Sequence, residues 1–150
     1  MWLDALFAYL HYIAILVLVG FLAAEMVLLR GVLDARAIRL LGKVDVVYFG
    51  SAMAALATGF VRLVFGAKGA DFYMNAWPFY VKFALFVAVG IVSIQPTLAF
   101  IRWRRMLDHD PAWPVPDAER RRMWRRVMIE AHLAAMIPVF AVVMSRGLGR

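Results

Sequence analysis

Four long apolar runs, separated by polar and mostly basic segments, leave this chain little choice of fold. They lie at about 3–29, 46–66, 78–101 and 127–145. Each reaches or nearly reaches the roughly 20 residues that a helix needs to cross a hydrocarbon layer about 30 Å thick. In lipid every backbone N–H and C=O must find its partner within a helix or a closed barrel. None of the runs alternates as a barrel strand does. The expected architecture is an all-α integral membrane four-helix bundle, with one transmembrane domain over residues 1–150 and no separate soluble one.

Composition closes off other classes. Hydrophobic residues make up 65% of the chain and the mean hydropathy is +0.76. A soluble domain of this length cannot hide that much apolar surface. Cysteine is absent, which excludes disulfides, thiolate haem attachment, iron–sulfur clusters and cysteine nucleophiles. The net charge of +7 fits membrane topology better than nucleic-acid binding. The first run lacks a basic leader, carries Asp4 instead, and is too long for a signal-peptide core; it is expected to be a retained helix.

Lys and Arg set the expected orientation. The first connection carries Arg30, Arg36, Arg39 and Lys43, and the third carries eight arginines between Arg102 and Arg126. The second carries Lys68, and the C-terminal segment carries Arg146 and Arg150. Connections one and three share a side in a four-span protein, so that side is expected to be cytoplasmic and both termini to face out. Trp103 and Trp124 on one side, and Trp2, Tyr73 and Trp77 on the other, are expected interfacial anchors. Asp117 is the expected N-cap of the last helix. Ser51, Ala55 and Gly59 fall four apart, a face that lets another helix approach closely; Gly20 and Ala24 do the same in the first span.

Ionisable residues inside these runs carry the functional question. A charge at mid-span costs roughly 2.5–3.5 kcal/mol on insertion scales, so its presence asks for a reason. His11 and Lys82 lie toward the outer ends of their helices, and Arg62 ends the second span on the same side. Glu25, Gln95, Glu130 and His132 lie on the inner side, with Asp45 and Arg30 at the interface. His11 and Glu25 are nearly four turns apart and share one helix face, about 21 Å from each other. That face is expected to point inward.

Structural readings compete with functional ones at each position. Glu25 can pair with Arg30, Lys82 and Arg62 can extend to headgroups, and His11 can be a hydrogen-bonded core histidine. The sharper reading is a haem b site. Neutral imidazole is a good axial ligand, and a bundle core is a normal place for it. His11 is the preferred ligand to the haem iron, with His132 a second histidine on the inner side. Met53 is an open choice for a sixth ligand. Lys82 and Arg62 are expected to meet propionates or an anionic substrate. The competing reading is a small transporter or proton channel using Glu25 and Lys82.

Residues across most of the chain also carry a family likeness. His11-Tyr12 through Glu25 to Leu28-Leu29-Arg30, then Thr58-Gly59-Phe60-Val61-Arg62, Phe65-Gly66-Ala67-Lys68-Gly69, Phe72-Tyr73, Lys82 and the run Pro96 to Arg104 resemble the domain-of-unknown-function family 2214. That resemblance implies small bacterial membrane proteins and a fold, but no activity. A weaker likeness joins His11 and Trp77-Pro78-Phe79-Tyr80-Val81-Lys82 to HemJ-type protoporphyrinogen IX oxidases. It implies haem b on His11 and Lys82 as a cation facing substrate or propionate.

The expected function is therefore a haem-b-binding redox protein of the bacterial inner membrane. Lys82 and Glu25 are the candidate catalytic residues, and His11, Arg62, Lys82 and His132 the cofactor-binding ones. Porphyrin or quinone is the expected substrate. The alternatives are a non-enzymatic accessory subunit, as a homo-oligomer or in a larger membrane complex, and a transporter.

Overall fold

A helix does not end where its apolar stretch ends. It ends where the backbone finds a cap or a proline. The computed structural model describes residues 2–66 and 69–148; Lys68 and Arg150 of the topology argument lie outside the described residues. The helices are α1 (Trp2–Arg30), α2 (Ala35–Phe65), the five-residue α3 (Ala70–Met74), α4 (Trp77–His109) and α5 (Asp117–Ser145). Four of them are long and apolar enough to cross a membrane. No strand occurs among the described residues.

α2, α4 and α5 run well past their apolar windows into the basic segments. α2 starts at Asp34, whose side chain accepts from the Ala37 N–H at 2.7 Å, so Arg36, Arg39 and Lys43 are helical rather than loop. α4 continues to His109, and Asp110-Pro111 stops it. α5 begins at Asp117, but the N-cap is Pro116; Asp117 is already helical and pairs with Arg120. At about 1.5 Å per residue, helices of 29 to 33 residues are about 43–50 Å long. They overshoot a 30 Å hydrocarbon layer by several turns.

The four long helices form a four-cornered bundle. α1 packs against α2 and α5, and α4 against α5 and α2. Two antiparallel hairpins, α1–α2 and α4–α5, are thus laid side by side. One end holds the two short connections and most of the arginines, and is called here the basic end. The other holds both termini and α3.

Packing is uneven along the bundle. Leu29, Ile38, Leu41, Phe100, Trp103 and Val127 are fully buried, all near the basic end. Nothing in α1 before Ala14, in α2 after Ala55, or in α5 between Glu130 and Met144 is buried. The cause is the solvent. Where helices project into water, apolar burial drives them together. Within hydrocarbon, a leucine against lipid is as satisfied as one against leucine, so only close packing and polar bonds hold helices.

Trp103 is not the interfacial anchor its position suggests. It is fully buried and donates its indole N–H to Glu119 Oε1 at 3.0 Å. Trp124 is half-buried beneath the Arg30 guanidinium, 5.2 Å from the ring centre. Trp2 and Trp77 are exposed. At the end of α1, Arg120 donates to the Leu29 carbonyl at 3.0 Å, filling an acceptor that the helix terminus leaves open.

Candidate functional site

The bundle encloses two polar layers. The first lies toward the end holding the termini. His11 on α1 meets Thr58 on α2, with Nδ1 and Oγ1 3.0 Å apart. The Thr58 hydroxyl donates to its own helix, to the Ala54 carbonyl at 2.6 Å. A hydroxyl has one proton, so Thr58 Oγ1 is left to accept, and His11 Nδ1 is the donor. The tautomer follows: Nε2 carries the lone pair.

Gly59 makes room for this imidazole. A Cβ at that position would sit 3.2 Å from His11 Cε1. The small-residue face of α2 thus works inside the bundle, with Ser51 and Ala55 buried and Gly59 under His11. Gly20, by contrast, faces open space.

Arg62 and Lys82 lie within electrostatic reach of His11 and of each other. Arg62 is half-buried, its guanidinium over the Tyr12 ring at 5.9 Å and its Nε without a partner. Lys82 stands 5.6 Å from the Phe79 ring centre. Neither forms an ion pair among the described residues. One imidazole and two cations therefore face a loosely packed part of the bundle, and no carboxylate pairs with either cation among the described residues.

The second layer lies one side of the fully buried plug, toward the middle. The antiparallel register set by His11–Thr58, and by Asp4 beside Gly66, places Glu25 opposite Asp45. Thr97 on α4 donates to Asp45 Oδ1 at 2.8 Å. About one turn further, Tyr48 on α2 donates to Glu130 Oε1 on α5 in a short hydrogen bond. Glu25 and Glu130 are each 1% exposed, Tyr48 3% and Asp45 6%. Glu25, Asp45 and Glu130 are within electrostatic reach of one another. All four spanning helices contribute to this layer.

Other residues singled out above stand elsewhere. Glu25 does not pair with Arg30, whose guanidinium lies over Trp124. His132 is on the exposed face of α5, its Nδ1 2.6 Å from the Met128 carbonyl, and it does not join His11. Gln95 and Met53 are exposed too. Lys82 and Glu25 belong to different layers. From Tyr48 to Thr58 along α2 is ten residues, about 15 Å. Tyr48 and Thr97 were not foreseen. Their hydroxyls gain a meaning only once carboxylates from other helices stand beside them.

Four long apolar helices around a polar interior define a four-span α-helical membrane protein. Residues 3–149 match the family described as "Predicted membrane protein (DUF2214)", and the chain belongs to that family. Neither the curated proteins nor the solved structures contain a match, so no comparison ties the chain to the HemJ-type oxidases.

Proposed function

We propose that this chain is a haem-b-binding redox protein of the bacterial inner membrane, with its basic end in the cytoplasm and His11 as the residue that would hold the haem iron. The observation that carries the reading is the contact between His11 Nδ1 and Thr58 Oγ1, 3.0 Å apart. With the Thr58 hydroxyl donating to Ala54, Nδ1–H is assigned to Thr58, which leaves the Nε2 lone pair for a ligand. Metal-binding imidazoles are oriented in this way, by a hydrogen bond from the other ring nitrogen.

The surrounding residues fit the group. Haem b presents an apolar macrocycle with two carboxylates. Arg62 and Lys82 have no carboxylate partner among the described residues, and Arg62 Nε is a buried orphan donor. Both are suited to hold propionates or an anionic porphyrin substrate. The helices are less tightly packed at this level than at the basic end. Bound haem supplies one-electron chemistry. The protein's part is to orient the ligand, neutralise the carboxylates and exclude water. The clustering of arginines at one end supports the orientation.

The accessory-subunit reading drew on the small-residue face of α2, which is used internally. The transport reading drew on Glu25 and Lys82 acting together, and they occupy separate layers. A haem titration of the detergent-solubilised protein decides. Wild type should give a saturable Soret shift, and His11→Ala should lose it while its far-ultraviolet dichroism stays unchanged. Equal binding by a folded His11→Ala variant would remove His11 as ligand.

A further inference from the structure

The geometry points to a second site: Glu25 and Glu130, with Asp45, Tyr48 and Thr97, bind protons within the membrane and exchange them only with the end that holds the termini. This does not depend on haem binding.

The proton inventory is the first argument. Three carboxyl groups from α1, α2 and α5 share one buried layer. Two hydroxyl donors reach them, Thr97 to Asp45 and Tyr48 to Glu130. Glu25 Oε1 and Glu130 Oε2 are buried without a hydrogen-bond partner among the described residues. The groups that face Glu25 electrostatically are Asp45 and Glu130, and those that face Glu130 are Tyr48 and Asp45. No arginine or lysine is among them. Like charges this close, in hydrocarbon and without a cation, cannot all persist. Nor do three acidic or histidine side chains converge as metal ligands among the described residues. The ligand that satisfies the layer is the proton: a carboxylate takes one from hydronium, giving a carboxylic acid and water. Glu25 Oε1, which receives no donor among the described residues, loses its share of buried charge when the group is protonated.

The second argument is access. On the basic side the layer is sealed by Leu29, Ile38, Leu41, Phe100, Trp103 and Val127, all with zero exposure. On the other side the seal is thinner: Leu18, Leu22 and Val89 are buried but not completely, and α2 carries the Ser51 and Thr58 hydroxyls along the way. A proton entering from that end meets two hydroxyls and incompletely packed apolar groups. From the basic end it meets only packed apolar groups.

Infrared spectroscopy of the whole protein in proteoliposomes of determined orientation tests this. At neutral pH the wild type should show a carboxylic-acid C=O band, and Glu25→Gln should lose intensity in it. Changing the pH on the side of the termini should alter the band, and changing it on the basic side, the other being clamped, should not. If Glu25→Gln does not fold, labelling of the wild type with a hydrophobic carbodiimide replaces it, with Glu25 or Glu130 as the expected adduct. Absence of the acid band, or of any adduct at these two residues, would overturn the site. A response to pH on the basic side would overturn its one-sidedness.

Discussion

Tyr48 and Glu130 join opposite corners of the bundle, α2 and α5, by a hydrogen bond from hydroxyl to carboxyl oxygen. Among the described residues no backbone packing links those helices. The bond therefore ties the two hairpins together in hydrocarbon, where apolar contact offers little preference over lipid. Tyr48→Phe should leave Glu130 with neither oxygen bonded, and should destabilise the protein by about 1–3 kcal/mol. Unfolding in mixed detergent measures it. The double variant Tyr48→Phe, Glu130→Leu should cost less than the sum of the singles, because neither partner is then stranded.

Thr58 joins His11 to α2, its hydroxyl also donating to the Ala54 carbonyl. Thr58→Val keeps the shape and removes the acceptor for Nδ1–H. Haem affinity should fall about 10–100-fold, the usual cost of losing such an orienting partner. Thr58→Ser should restore it. An unchanged titration for Thr58→Val would separate the imidazole's orientation from binding.

Gly59 offers a graded test of the same contact. Alanine brings a Cβ to 3.2 Å from His11 Cε1, which a small shift of the ring accommodates. Leucine does not fit beneath the ring. Haem binding should drop modestly for Gly59→Ala and severely for Gly59→Leu, read by the same titration.

Trp103 holds the basic end. Trp103→Ala should cost about 3–5 kcal/mol by emptying a filled core position. It also strips Glu119 of the indole donor. Ile91, 63% exposed on the outer face of α4, is the contrast; Ile91→Ala should change stability by no more than about 0.5 kcal/mol. Thermal unfolding in detergent compares the two.

Much of the architecture was legible in the sequence. Four apolar runs sufficed for four spanning helices, because lipid leaves the backbone no alternative. Helix limits were not, since hydropathy marks the membrane and not the helix; α2 begins eleven residues before its apolar run. The inward face shared by His11 and Glu25 followed from helical spacing alone. The partners on that face did not. That Tyr48 meets Glu130, or that Trp103 is buried against Glu119 rather than at an interface, depends on how two hairpins dock, and no local pattern encodes that. His132 illustrates the same limit. Its depth was readable from the sequence, but its direction out of the bundle was set by the rotation of α5.

Haem on His11 is the central claim, and the reduced-minus-oxidised absorption spectrum of the wild-type protein, purified in mild detergent, tests it most directly. A Soret band with sharp reduced α and β bands, absent from a folded His11→Ala variant, is the predicted result. A featureless spectrum that persists after incubation with haem would contradict it.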